Sequence, residues 1–157
     1  MDYAEHHFDA GLGREALAFV APIIDRAVTD PAVGQSGVLY AVVMNPARAR
    51  GACSFDDAIL VEQGFGKARD AWDADYAHYA RKKARISWET GCDSGADRTA
   101  PRWREQGQSL PLAGGMVVNG VVVGVSGADP HYDEVIAGAI ALSLRAALKR
   151  RAAPAAS

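Results

Sequence analysis

Residues 110–135 constrain the fold more than any other part of the chain, because they predict a tight β-hairpin that leads directly into a helix. Two valine-rich runs are separated only by Asn119-Gly120, a pair that tolerates the positive φ angles of a type I′ turn. Gly114-Gly115 precedes the hairpin and Ser126-Gly127 follows it. Glycines let a ligand approach the backbone closely, and a helix start offers unpaired amide donors. The stretch therefore predicts a strand pair with a candidate small-molecule site at its ends.

The first part of the chain predicts a helix followed by a buried strand. Apolar residues recur three or four positions apart in residues 12–28, which is typical of one face of a helix. Pro22 removes a backbone donor within this pattern, so the helix either bends there or begins later. Residues 38–44 are almost continuously apolar, which indicates a buried strand, and residues 49–54 are its expected partner.

A second helix is expected to begin after Ser54 and to continue to Arg85. Its aromatic residues recur at near-helical spacing, which is more typical of core packing than of a cofactor site. They are Phe65, Trp72, Tyr76 and Tyr79. The cationic run 81–85 complements the dipole at a helix C-terminus, which explains it better than a nucleic-acid patch does. The last helix is expected to begin at Pro130 with Asp129 as its cap, and the order of elements indicates an α+β fold with an antiparallel sheet.

Composition restricts the class of protein. The chain has 157 residues, which predicts one domain, expected at 12–151 between flexible ends at 1–11 and 152–157. A net charge of −2 argues against a general nucleic-acid binder. The sequence has no apolar run of membrane-spanning length and its N-terminus has no signal-peptide core, so we expect a cytoplasmic protein without membrane contact. Cys53 and Cys92 lack the spacing of a zinc site and are expected to be reduced thiols.

Residues 87–108 have no clear period but contain several arginines and tryptophans. Loops of this length inside compact domains are often lids or binding loops. Arg102 and Arg104 are therefore candidates for holding a carboxylate or phosphate group of a ligand. A solvent-exposed loop without a binding role agrees equally well with the sequence.

The hairpin region resembles the GlcG/HbpS family, which includes the C-terminal domain of PduO-type proteins. The matching segments are PLAGG at 111–115, GVVVGVSGA at 120–128 and Asp133-Glu134. In addition, GKARDA at 66–71 looks like the family's KAxTA segment, and LYAVV at 39–43 occupies the place of its first core strand. The chain departs from the family after that strand, where Asn45-Pro46-Ala47-Arg48 replaces the usual Asp-x-x-Gly turn.

The resemblance implies an α/β/α layered domain of profilin-like architecture, with a five-stranded antiparallel sheet, commonly assembled into homo-oligomers. Several members of the family bind haem, some are described as haem-degrading, and others accompany cobalamin or glycolate metabolism. Haem is thus the leading candidate ligand of a small-molecule-binding protein. Two alternatives stay open: a cofactor-free isomerase or lyase acting on a small carboxylated or aromatic metabolite, and an oligomeric accessory protein without catalysis.

Two histidines are candidate ligands of a haem iron. His131 falls in the first turn of the last helix, where an imidazole could also move a proton. His78 lies near two tyrosines on the cationic helix. The alternatives are an exposed first-turn histidine at 131 and a partly buried packing histidine at 78.

The candidate catalytic residues are Lys67, His131 and Asp133. Lys67 could pair with a substrate carboxylate or a haem propionate, or act as a base if desolvation lowered its pKa. The structural alternative is a salt bridge between Lys67 and Asp133. Ser126 is not expected to be a nucleophile, because its flanking residues do not form a GxSxG elbow. The expected ligand-binding residues are Gly114, Gly115, Ser126, Gly127, Arg102 and Arg104.

Overall fold

The computed structural model describes residues 2–96 and 112–154. Within them the chain forms an antiparallel sheet between helices, which confirms the predicted α+β class. The helices are α1 (Ala10–Thr29), α2 (Tyr76–Thr90) and α3 (Pro130–Ala152), and the strands are β1 (Val38–Met44), β2 (Ile59–Gly66), β3 (Gly115–Val118) and β4 (Val121–Ser126). The described strands make a four-stranded sheet in the order β2-β1-β4-β3. A fifth strand is not among the described residues.

Strand β1 is the centre of the molecule, because it pairs with β2 on one side and with β4 on the other. All seven of its residues are buried, which explains why its sequence is apolar without alternation. Leu39, Ala41 and Val43 pack in a core with α1 and α3, whereas Tyr40 and Val42 pack in a second core with α2. The domain therefore has three layers, with two helices on one face of the sheet and one helix on the other.

The predicted hairpin is confirmed. β3 and β4 pair antiparallel, with Val118 opposite Val121. Asn119 has φ 50° and Gly120 has φ 83°, the conformation of a type I′ turn. The helix that follows the hairpin begins at Pro130, as the sequence predicts, and Asp129 occupies the cap position without a side-chain hydrogen bond to the first turn.

The prediction of a helix from Ser54 to Arg85 is wrong in its first half. Ser54 precedes only a short 3₁₀ turn, Asp56–Ala58, and its Oγ accepts a hydrogen bond from Asp57 N. Residues 59–66 then form strand β2 because they pair along the whole of β1. The predicted strand at 49–54 is also wrong: this segment is irregular, with a turn at Gly51-Ala52 and a single bridge between Arg50 and Cys53. Pairing with an already buried strand outweighs the helical spacing of the apolar residues.

Two helix boundaries also differ from the prediction. α1 begins at Ala10, where Asp9 caps it through Leu12 N, and it continues through Pro22. α2 begins after Asp75 and continues to Thr90, so the cationic run 81–85 lies in its middle and not at its end. None of the described helices is long and apolar enough to cross a membrane.

The packing of α2 against β4 yields a stability prediction. A methyl group on Gly124 would collide with Ala80 O and would lie 2.6 Å from Ala84 N, both in the backbone of α2. We expect Gly124→Ala to lower the free energy of unfolding by about 1–3 kcal/mol, because the helix must move away from the sheet. Gly138→Ala on α3 is the matched control, since nothing lies within 4 Å of its added methyl group. That control should raise stability by about 0.5–1 kcal/mol, and urea unfolding that shows equal effects would contradict this packing.

Candidate small-molecule site

A cleft of about 580 Å³ opens where β4 ends and α3 begins. The segment before β1 and the first turn of α2 form its other walls. Its described lining residues are Gln35, Ser36, Asp73, Tyr76, Lys83, Ser126, Gly127, Ala128, Asp129, Pro130 and Asp133. Most of these residues are polar, so the cleft offers hydrogen-bonding groups from several elements at one place.

A buried ion pair forms part of the cleft lining. Lys83 Nζ lies 2.9 Å from Asp133 Oδ2, and the two residues are only 6% and 2% exposed. Lys83 Nζ also donates a hydrogen bond of 2.9 Å to Val125 O. Ala128 N donates one of 2.9 Å to Asp133 Oδ1. The pair therefore connects α2, β4 and α3, and both of its charged groups are hydrogen-bonded.

Burial controls the protonation of Asp133. Loss of water around the carboxyl group raises its pKa from 3.8 to about 6, although Lys83 and the amides of Ala128 and Gly127 act in the opposite direction. Desolvation of the carboxylate thus outweighs the attraction of the ammonium group. A carboxyl group with this pKa exchanges a proton close to neutral pH, which an ordinary aspartate does not do.

Hydroxyl groups complete the opposite wall. Ser36 Oγ accepts a hydrogen bond from Val38 N and lies 2.7 Å from Gly127 O, so it fixes the loop after β4 to the start of β1. Tyr76 donates a hydrogen bond of 2.6 Å from its hydroxyl group to Asp73 Oδ1. Burial raises the pKa of Tyr76, and the hydrogen bond from Tyr76 lowers the pKa of Asp73. Both groups are therefore held in defined protonation states at the mouth of the cleft.

The predicted partner of Asp133 is wrong. Lys67 is exposed and donates a hydrogen bond of 2.8 Å to Ser36 O, whereas Asp133 pairs with Lys83. Lys67 follows strand β2 and holds the segment before β1, close to the cleft but not among its described lining residues. The exposed lysine fits a positioning contact better than it fits a desolvated base.

The sequence contained a signal for Lys83. The tripeptide Lys-Ala-Arg occurs at 67–69 and again at 83–85, and only the second copy lies on a helix. Small residues of this helix form the stripe that faces the sheet; they are Ala77, Ala80, Ala84 and Ser87. A small-residue stripe predicts close approach of the helix and the sheet, and Lys83 lies beside this stripe among the buried residues of α2.

The predicted ligand-binding residues Ser126-Gly127 and Gly114-Gly115 have different roles in the structure. Ser126 and Gly127 line the cleft, where the prediction expected a ligand. Gly114 instead makes room for the ion pair, because a methyl group there would lie 3.0 Å from Lys83 Nζ and 2.9 Å from Asp133 Cβ. Gly115 lies against Lys83 O of α2. Both glycines therefore leave space for Lys83 and its helix, and neither is among the described residues that line the cleft.

The two candidate iron ligands are on the surface. His131 is exposed in the first turn of α3, next to Pro130 at the cleft. His78 is exposed on α2, with its ring 5.4 Å from that of Tyr79. Among residues 2–96 and 112–154, no group of three or more histidine, cysteine or acidic side chains is placed to hold a metal ion. Arg102 and Arg104 lie outside the described residues.

Comparison with known proteins gives no indication of function, so the function is inferred from the geometry of the cleft. No protein-family model matches the chain, and no curated protein is significantly similar to it.

The raised pKa of Asp133 predicts a pH dependence of stability. A folded-state pKa of about 6 against 3.8 means that the folded protein binds this proton more tightly than the unfolded chain. The associated stabilisation is complete below the unfolded pKa and is lost as the pH rises through the folded pKa. We expect the free energy of unfolding to decrease between about pH 4 and about pH 6 more steeply in the wild type than in Asp133→Asn. Parallel slopes in chemical denaturation would contradict the raised pKa.

Removal of the Lys83 ammonium group should lower the free energy of unfolding by an amount that depends on pH. Lys83→Met leaves the Asp133 carboxylate buried without its cation, and we expect a loss of about 3–5 kcal/mol of unfolding free energy at pH 8. The loss should be smaller at pH 5, because a protonated Asp133 needs no counter-charge. Lys149→Met is the matched control, since Lys149 is exposed on α3. An equal loss at both pH values would mean that the two groups are not coupled.

Proposed function

We propose that the protein binds a small polar molecule in the cleft at the start of α3. The observation that carries this proposal is the buried Lys83–Asp133 pair on the cleft wall. Burial of an ion pair is expensive, and well-packed apolar residues in its place are often neutral or stabilising. An ion pair that lies beside an open cleft is therefore better explained by contact with a ligand than by stability alone.

The lining indicates the chemistry of the ligand. Lys83 Nζ donates two hydrogen bonds within the protein and has a third N–H group for a ligand oxygen. Asp129 and Asp73 offer exposed acceptors at the mouth. This combination fits a small hydroxylated or carboxylated metabolite, which presents both acceptors and donors over a short distance.

Haem is the second candidate ligand, and the sequence resemblance to the GlcG/HbpS family is the observation that favours it. The described lining of the cleft fits haem poorly, because it contains no histidine and because its walls are polar while a porphyrin requires apolar contact. His131 lies next to the cleft and would have to turn inward to ligate iron. The lining thus supports the small polar ligand over haem.

The same site also supports the proposal of a proton-transfer reaction. Asp133 has a pKa of about 6, which suits a group that takes and returns a proton near neutral pH. In a cofactor-free isomerase or lyase, Asp133 would act as the base and Lys83 would stabilise negative charge on the substrate. Arg102 and Arg104 remain predicted substrate contacts of this version.

We also propose that the protein forms a homo-oligomer, because α1 and α3 expose apolar side chains. Phe19 is 82% exposed, and Ile23, Val135 and Leu142 are also exposed on these two helices. Large apolar side chains grouped on a surface are typical of protein contacts. A homo-oligomer formed through this face would leave the cleft accessible, because none of these four residues lines it.

Ligand binding can be tested by NMR with ¹⁵N-labelled protein and a panel of glycolate, malate and serine. We expect at least one of these probes to shift the amide resonances of Gly127 and Ala128 in a saturable way, because both residues line the cleft. Lys83→Met should reduce the shift, whereas Lys149→Met should not. A panel that leaves these amides unmoved, or shifts that persist in Lys83→Met, would contradict the proposal.

A titration with hemin separates the two candidate ligands. For a cleft that binds small polar molecules, we expect no saturable Soret shift that depends on a histidine. A saturable shift in the absorbance of hemin that is lost in His131→Ala or His78→Ala would favour haem and would contradict the polar-ligand proposal. Unfolding curves of both variants provide the control for folding, since both side chains are exposed.

A further inference from the structure

A second pocket lies beyond the C-terminal end of β1, away from the cleft. Its volume is about 230 Å³, and it lies between the segment after β1, the last turns of α2 and the β3–β4 hairpin. The two sites are separated along the sheet, because Ser126 at the cleft pairs with Tyr40 near the start of β1, while Met44 at the end of β1 lines the second pocket. A ligand in one pocket does not occupy the other.

The second pocket has a positive rim. Arg48 and Arg50 line it, and its described lining residues include no acidic side chain. Arg50 Nη1 donates a hydrogen bond of 2.7 Å to Glu89 O, which fixes this guanidinium group and leaves its other N–H groups available. Arg48 is exposed; its backbone carbonyl accepts from Trp88, and its guanidinium group makes no hydrogen bond or ion pair with another described residue.

The inner wall of this pocket is mostly apolar. Met44, Val117 and Val122 contribute aliphatic surface, and Trp88 adds an indole ring whose Nε1 donates to Arg48 O at 3.0 Å. Ser87 also lies on the wall, and its Oγ is buried without a hydrogen-bond partner. A buried hydroxyl without a hydrogen-bond partner is unfavourable, so an additional acceptor at this wall would stabilise the arrangement.

We propose that this pocket binds a small carboxylate with an apolar body. Arg48 and Arg50 supply the donors for the carboxylate, since arginine forms paired hydrogen bonds with planar anions. The aliphatic wall and the indole ring receive the apolar part of the ligand. A tetrahedral inorganic anion uses only the rim, so the apolar wall distinguishes a carboxylate ligand from free phosphate.

Benzoate is a suitable probe, with benzamide as its neutral counterpart and inorganic phosphate as the anion without an apolar body. Trp88 reports on the site through its indole N–H resonance, which is assigned by comparison with Trp88→Phe. We expect benzoate to shift this resonance in a saturable way, and we expect benzamide and phosphate to bind at least about tenfold more weakly. Arg48→Gln should weaken benzoate binding by about tenfold without a change in unfolding temperature, because its exposed guanidinium group makes no hydrogen bond or ion pair within the described part of the chain.

Arg26→Gln is the matched control, since Arg26 is an exposed arginine on α1 that pairs with Asp30. It should leave benzoate binding unchanged. The proposal is overturned if benzoate produces no saturable shift, if benzamide binds as tightly as benzoate, if phosphate competes equally, or if binding in Arg48→Gln matches that of the wild type. None of these results depends on a ligand in the cleft.

Discussion

The Lys83–Asp133 ion pair is the constraint around which one end of this domain is built. It joins the middle of α2 to the first turn of α3 across the end of β4, so three elements from distant parts of the sequence meet at one hydrogen-bonded cluster. Two backbone groups also bind this cluster: Val125 O accepts a hydrogen bond from the ammonium group, and Ala128 N donates one to the carboxylate. Because an unpaired charge at this depth would be strongly destabilising, the cluster also fixes where the loop after β4 must lie.

Close packing between α2 and the sheet makes the ion pair possible. Gly124 allows the backbone of α2 to contact β4 directly, and Gly114 leaves space for the ammonium group of Lys83. A larger residue at either position would displace the helix or the lysine. Gly114 and Gly124 therefore determine the chemistry of the cleft indirectly, through the position of a charged side chain, whereas Gly127 lines the cleft itself.

The elements that could be predicted from the sequence are those whose residue patterns lie within a short stretch of the chain. The hairpin follows from Asn119-Gly120 between valine-rich runs, and the buried strand β1 follows from its continuous apolar residues. Strand β2 was not predictable in this way, because apolar residues at near-helical spacing in this stretch imitate a helix until pairing with β1 is known. Lys83 was missed for a similar reason. It lies within a run of cations, where exposure is the ordinary expectation, and its partner is 50 residues away in the sequence.

The most direct test of this account is the pKa of the Asp133 carboxyl group, measured by ¹³C NMR titration of its Cγ resonance. Assignment follows from Asp133→Asn, which removes the resonance. The account predicts a midpoint of about 6, because burial opposes ionisation more strongly than Lys83 favours it. A midpoint at or below the ordinary value of 3.8 would show that the carboxylate is stabilised as a purely structural ion pair, and would contradict the claim that this site is poised to exchange a proton near neutral pH.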